Sequence, residues 1–298
     1  MKTHRLSRRT REALLGYALV LPSLVLFGTF VFYPFVKNIW LGFYRAPPSP
    51  LLPKKWVGFE QYKDVWTSDD FLNSVKVTFQ FALLTVPLGI ALGLGLAVLA
   101  HQRLRGVGIY RTIFSSTVAT SIAVASVIFF TLLNPIIGLI PYWLGTENQP
   151  SPLQDPQWAL VCVSITTIWQ TLGLSFILMS AGLQSVPDEL LEAARVDGAS
   201  AWSRFRNVTL PLLSPTLFFS AVVGTILAFQ AFGQIDLLTE GGPDDKTNVL
   251  VYSIYRTAFG SPPDQNSAAI LAVALFGITL VLTLIQLRFL ERRVTYER

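Results

Sequence analysis

An all-α polytopic membrane protein with six transmembrane helices is the fold class this sequence predicts, on three observations. Of 298 residues, 52% are hydrophobic and only 14% are charged, against roughly 25% charged in an average soluble domain. Six intervals of at least 23 residues contain no Asp, Glu, Lys or Arg: 13–36, 77–100, 112–146, 156–187, 207–235 and 265–287. The Lys and Arg residues, finally, concentrate in alternate connecting segments. About 20 apolar residues cross a bilayer core as a helix, and a charge at the helix centre costs about 2.5 to 3.5 kcal/mol, so each interval is expected to hold one span. Barrel strands need only about 9 to 11 residues and do not fit these lengths.

The elements follow in order. A basic tail, 1–12, precedes a first span at 13–36 whose apolar run is longer than a signal-peptide core and lacks a small-residue cleavage site, so it is expected to remain as an uncleaved helix. The segment 42–76 carries Pro47, Pro48, Pro50 and Pro53 and turns amphipathic from Gly58 to Val65. An interfacial helix is expected at 59–66, with Trp56, Tyr62 and Trp66 at headgroup depth; a plain surface loop is the alternative. The second span, 77–100, contains Gly89 and Gly93 at the spacing that lets two helices approach closely. Spans at 112–133, 158–181, 212–235 and 265–287 complete a membrane domain over 13–290, followed by a tail at 291–298. Pro22, Pro34, Pro87, Pro135 and Pro215 should kink or end helices locally.

Orientation comes from the basic residues. With the N-terminus inside, the tail (Lys2, Arg5, Arg8, Arg9, Arg11), the loops with Arg103, Arg105 and Arg111 and with Arg195, Arg204 and Arg206, and the C-terminus (Arg288, Arg292, Arg293, Arg298) put 15 of 23 inside. The positive-inside rule then predicts a multi-pass protein of the cell membrane with both termini cytoplasmic. The net charge of +5 is topogenic and faces anionic lipid; no nucleic-acid motif accompanies it. Cys162, alone inside the fourth span, is expected to pack as a small apolar side chain, and His4 and His101 lie in basic interfacial segments.

Between the fourth and fifth spans lies a polar stretch, residues 185–211, SVPDELLEAARVDGASAWSRFRNVTLP. It is expected to form two short helices. Ser185 can cap the first, Pro187 suits its first turn, and Asp188 and Glu189 favour the positive dipole end. Leu190, Leu191 and Ala194 give that helix an apolar side. Gly198 breaks it, Ser200 caps the second helix, and Trp202, Phe205 and Val208 form an apolar stripe. Leu210-Pro211 is expected to end the element and open the fifth span.

These residues carry a resemblance. Glu192-Ala193-Ala194, then Gly198, Val208 and Leu210-Pro211, resemble the EAA loop of the permease subunits of binding-protein-dependent ABC importers, with Val208 where the family has Ile. Phe232, Ile235, Leu238-Thr239, Gly241-Gly242-Pro243, Thr247 and Tyr255 with Ala258-Phe259 resemble the outer loop of the carbohydrate-uptake branch, as do Pro22 and Tyr33-Pro34 in the first span. Gln286, Arg288, Phe289, Glu291-Arg292-Arg293-Val294 and Tyr296, with Asn134-Pro135 and Gly138-Leu139-Ile140, resemble the glycerol-3-phosphate permease subunit.

The resemblance implies a type I ABC importer permease fold and a partner-driven machine. It implies a second homologous permease forming a heterodimer, two copies of an ATPase subunit and an extracytoplasmic substrate-binding protein. Glu192 would be the polar contact to the ATPase, Ala193 and Ala194 would permit close approach, Gly198 would supply the turn, and Asp197 would cap or brace it. Trp202 and Phe205 would anchor the second helix. The substrate implied is glycerol-3-phosphate or a glycerophosphodiester, with a maltose- or trehalose-type sugar as the alternative.

No G-x-x-x-x-G-K-[ST] loop and no acid, base and nucleophile cluster occur in the chain, so no catalytic or metal residue is expected; ATP and Mg would be held by the partner ATPase. For the translocation pathway the candidates are Trp169 and Gln170 in the fourth span and Gln230 and Gln234 in the fifth, since polar side chains within membrane helices line pathways or bond between helices. Gln230 and Gln234 are one helical turn apart and are expected to face one lumen, where they would bond substrate hydroxyls. The competing class is a self-contained secondary transporter. It would show internal repeats or a carboxylate within the spans, and the sequence has neither.

Overall fold

A computed structural model describes residues 8–45, 53, 55–101, 106–145 and 150–290. The tail motif 291–296, Arg103 and Arg105, and the proline run at 47–50 lie outside these residues. The first span is α1 (Arg8–Phe27), a π-helical turn (Gly28–Phe32) and α2 (Tyr33–Leu41). Pro34 cannot donate into the helix ladder, and the wider turn absorbs the defect: the Tyr33 N–H reaches back five residues to the Gly28 carbonyl.

At the far end of α2 a two-stranded antiparallel ribbon pairs β1 (Tyr44–Arg45) with β2 (Lys55–Trp56) in the register Tyr44 to Trp56, and α3 (Glu60–Trp66) follows. Then comes α4 (Asp69–His101), whose 33 residues span about 50 Å and so project beyond an apolar core of about 30 Å. Arg111, counted among the topogenic cations, donates from Nη2 to the Ala100 carbonyl at 2.8 Å and satisfies the end of α4.

The interval 112–146 does not form one straight helix. Instead α5 (Val107–Ser116) and a 3-10 turn (Thr117–Ala119) meet α6 (Ile122–Leu132) at 104°. Ser121 takes extended backbone angles and its side chain accepts from the Val124 N–H, so a hydroxyl N-cap starts a new helix within the apolar run. A short α7 (Leu139–Leu144) and then α8 (Ala159–Gln184) follow. After the polar loop, α12 (Ser214–Phe229), α13 (Gly233–Leu238), α14 (Leu250–Phe259) and α15 (Gln265–Leu290) complete the chain, the loop itself supplying α9 to α11.

Among the described residues four helices are long and apolar enough to cross a membrane, or six with each bent pair taken as one span. The spine of the bundle is α4 against α8, with α12 packed on both. Gly93 makes the closest approach: a Cβ there would lie 2.6 Å from the Ser175 Cβ, whereas one on Gly89 would meet nothing within 4 Å. Both glycines are buried on one helix face, but only at Gly93 does α8 come close enough to exclude a Cβ, so the GxxxG pair is half used. One core cluster, around Phe176, Met179, Leu183 and Leu213, lies near the polar loop; the other, around Phe81, Val163, Phe229 and Ile235, lies toward the opposite end. Outward-facing apolar side chains such as Leu19, Phe30 and Leu83 are 73% to 80% exposed, which suits lipid and not water.

Candidate coupling surface and pathway residues

The polar loop forms a compact unit, built from its ends inward. Ser185 does not cap α9: its hydroxyl donates back to the Gly182 carbonyl at 2.7 Å and closes the end of α8. Pro187, in extended conformation, precedes α9 (Asp188–Val196) without any side-chain cap, and Asp188 and Glu189 occupy the first turn. The carboxylates there meet the positive dipole end, which replaces the missing cap.

The exit from α9 is a Schellman turn. Gly198 N–H donates to the Arg195 carbonyl at 3.1 Å, Ala199 N–H to the Ala194 carbonyl at 3.0 Å, and Gly198 has φ +81°. Asp197 contributes its backbone N–H, to the Ala193 carbonyl, while its carboxylate is exposed and makes no hydrogen bond among the described residues, so its side chain does not brace the turn. Ser200 caps α10 (Ala201–Arg204) as expected, accepting from the Ser203 N–H at 3.2 Å, and Arg204 Nη1 donates to the Ala199 carbonyl at 2.7 Å, tying the second helix back onto the turn.

Leu210-Pro211 does not end the element. A π-helical turn (Phe205–Thr209) carries the helix through the proline into α11 (Leu210–Leu212), the same device as before Pro34, and the 64° bend falls between α11 and α12. The bend sits where Leu213, fully buried, packs with α8 beside Gly182.

Glu192 and Ala193 are exposed and Ala194 is half-buried. Val196 is 87% and Trp202 68% exposed. Trp202 and Phe205 stack with ring centres 5.6 Å apart and planes 29° from parallel. The outcome is an exposed apolar surface edged by Asp188, Glu189, Glu192 and Asp197, with Arg195 as the cation of α9 among them.

The pathway candidates separate. Trp169 meets Phe129 edge-on at 5.6 Å. Gln170 Nε2 donates to the Thr120 carbonyl at 3.3 Å, at the break between α5 and α6, so it serves a helix-to-helix bond. Gln230 and Gln234 do not share a helix face. α12 ends at Phe229, Gln230 is its exposed C-cap, and after a break Gln234 lies on α13, 4% exposed, with Oε1 lacking a hydrogen-bond partner. The break is set by packing: Gly233 approaches Ile122, where a Cβ would lie 2.9 Å from Cγ2. Sequence reasoning missed Ser126 on α6 and Asn248, whose buried side-chain oxygens are also unpartnered. It missed too the bond from Gln286 Nε2 to Thr225 Oγ1, 2.9 Å, that joins α15 to α12; a polar residue in each of two apolar runs was the available signal.

The described residues form a helical bundle of four to six candidate spans with a helix-turn-helix loop between two of them, and the family match identifies this arrangement as a transport permease. The chain belongs to the family described as the binding-protein-dependent transport system inner membrane component, which matches residues 85–296. It is 36% identical over 285 residues to the sn-glycerol-3-phosphate transport system permease protein UgpA of Agrobacterium fabrum, covering 95% of this chain and 97% of the relative. Against UgpA of Pectobacterium atrosepticum it is 35% identical over 289 residues, 96% and 97% of the two chains. In structure it superimposes with a TM-score of 0.82 on a chain of a bacterial ABC transporter involved in import of the acidic polysaccharide alginate, at 23% identity over 96% of this chain and 98% of that one. With a chain of an alginate transporter in complex with its pentasaccharide-bound periplasmic protein the TM-score is 0.83, at 22% identity over 99% and 100%. The protein is thus an ABC importer permease subunit of the type I fold and a multi-pass membrane protein.

Proposed function

We propose that this subunit forms half of the translocation pathway of an ATP-driven importer of sn-glycerol-3-phosphate or a glycerophosphodiester, and that residues 185–211 dock on a separate ATPase. The observation that carries the coupling half is the rigid α9–turn–α10 unit, which presents Glu192, Ala193, Val196 and Trp202 at one end of the bundle. Movement of a docked ATPase would pass through the Schellman turn and the α11–α12 bend into the spans as a rigid-body displacement. The UgpA relatives support the substrate.

In this reading a second homologous permease completes a heterodimer, two ATPase copies bind ATP and Mg, and an extracytoplasmic binding protein delivers substrate. Both termini are cytoplasmic, which puts the polar loop on the ATPase side. Trp169, Gln230 and the unpartnered Gln234 Oε1 are the pathway residues of this chain. A neutral maltose- or trehalose-type sugar is the second reading, favoured by the acidic outer segment with Asp236, Glu240, Asp244 and Asp245.

The test is reconstitution of this chain with partner permease, ATPase and binding protein in lipid, measuring ATP hydrolysis with glycerophosphodiesters and with disaccharides. Stimulation by binding protein loaded with the former is expected; stimulation only by a disaccharide would move the substrate to the second reading. Failure to assemble with any ATPase, with solute moving down an ion gradient, would remove the coupling role.

A further inference from the structure

At the end of the bundle opposite α9, the ribbon and α3 gather aromatic rings around Phe43. Trp56 stacks on it at 5.3 Å, Phe59 meets it edge-on at 5.1 Å, and Tyr62 lies 5.3 Å away. Trp40 touches Trp56 at 5.5 Å, and Trp66 touches Tyr62 at 5.3 Å.

The cluster has two unlike sides. Its inner side is Tyr62, 6% exposed, whose hydroxyl donates to the Ile39 carbonyl at 2.7 Å. Burial raises the Tyr62 phenol above its ordinary pKa, which keeps it a donor. Tyr62 therefore faces the protein and not its surroundings: it holds the cluster onto the end of α2. Its outer side is Trp40, Trp56, Phe59 and Trp66, which are 57%, 52%, 75% and 41% exposed. Apolar surface of that extent is costly in water.

Placement and charge indicate what covers it. Asn266 Nδ2 donates to the Leu41 and Tyr44 carbonyls, so the cluster is fixed where the first span ends and α15, another candidate span, begins. Tryptophans at the ends of spans are the composition of a membrane-interface belt; exposed Lys37, Lys55 and Lys63 lie in the same short segments, and of the exposed carboxylates of α3, Glu60 and Asp64, the second is paired with Arg45. We propose that this aromatic face is a membrane anchor lying in the headgroup–acyl boundary of the leaflet opposite α9, with Lys37, Lys55 and Lys63 meeting lipid phosphates. The chain would thus hold the outer end of its first span by lipid contact as well as by Tyr62 and Asn266.

The test uses the full-length chain, alone and assembled with its partner permease, in phosphatidylcholine–phosphatidylglycerol nanodiscs, with tryptophan fluorescence read against lipids brominated near the glycerol end or near the chain ends, and against aqueous iodide. The signal lost in Trp56→Phe and gained in Phe59→Trp should be quenched at least about twofold more by the shallow bromines than by either other quencher, as for a ring at the interface. Quenching by iodide foremost would place the face in water and overturn the proposal. Protection from all three would mean a protein partner covers it and would overturn it equally. Should Trp56→Phe fail to insert, Phe59→Trp, at the most exposed ring, decides alone. The outcome is independent of substrate and ATPase.

Discussion

The Ala199 N–H donates to the Ala194 carbonyl at 3.0 Å, and the residue between the helices that permits it, Gly198, stands at φ +81°. A Cβ on Gly198 would meet nothing within 4 Å, so backbone conformation alone, not space, calls for glycine. The mutual angle of α9 and α10 depends on this turn.

Gly198→Pro removes the donor to Arg195 and imposes a φ near −65°, so it should abolish transport and reduce ATPase co-purification while the chain still inserts. Gly198→Ala should cost about 1 kcal/mol of turn stability and give a partial defect. Uptake by membrane vesicles and pull-down of the ATPase check both; normal uptake in Gly198→Pro would remove the turn from coupling.

Glu192 is exposed and makes no hydrogen bond among the described residues, so Glu192→Arg should leave thermal stability within about 0.5 kcal/mol of the parent. It should nevertheless abolish substrate-stimulated ATP hydrolysis by placing a cation on an acid-edged surface. A parallel loss of stability and coupling would count against a docking role.

Gln170→Leu leaves the Thr120 carbonyl unpaired at the α5–α6 break and should destabilise the bundle by about 1 to 3 kcal/mol. Gln234→Leu removes an acceptor that has no partner, so it should be neutral or stabilising, yet it should lower transport severalfold. Thermal denaturation and uptake measured on both variants separate a structural glutamine from a pathway one; unchanged uptake in Gln234→Leu would remove it from the pathway.

Gly93→Ala sets a Cβ 2.6 Å from that of Ser175 and should cost about 1 to 3 kcal/mol, whereas Gly89→Ala, whose Cβ meets nothing within 4 Å, should cost far less. Heat-induced loss of the monodisperse detergent-solubilised peak measures the difference. Equal sensitivity would contradict the α4–α8 approach.

Much of this protein is legible in its sequence. The apolar intervals, the glycine turn at 198 and the Ser200 cap depend on residues within a few positions of one another. The EAA loop carried the family because its pattern is local and long. The errors share a cause. Ser185 had two helix ends within reach, and only packing chose the end of α8. Leu210-Pro211 looked like a terminator because proline lacks a donor, but a π-helical turn removes the defect. Gln230 and Gln234 were one turn apart only if the fifth span continued.

The sequence by itself determined that the chain crosses a membrane several times and that one polar loop between spans is a helix-turn-helix, because burial cost and turn chemistry are sums over neighbouring residues. The tertiary structure alone decided where the spans break, which of Gly89 and Gly93 meets α8, and that Gln170 is bonded while Gln234 is not. Those outcomes rest on Thr120, Ser175 and Ile122, which lie far away in the chain, and no periodicity within a segment encodes a partner on another helix.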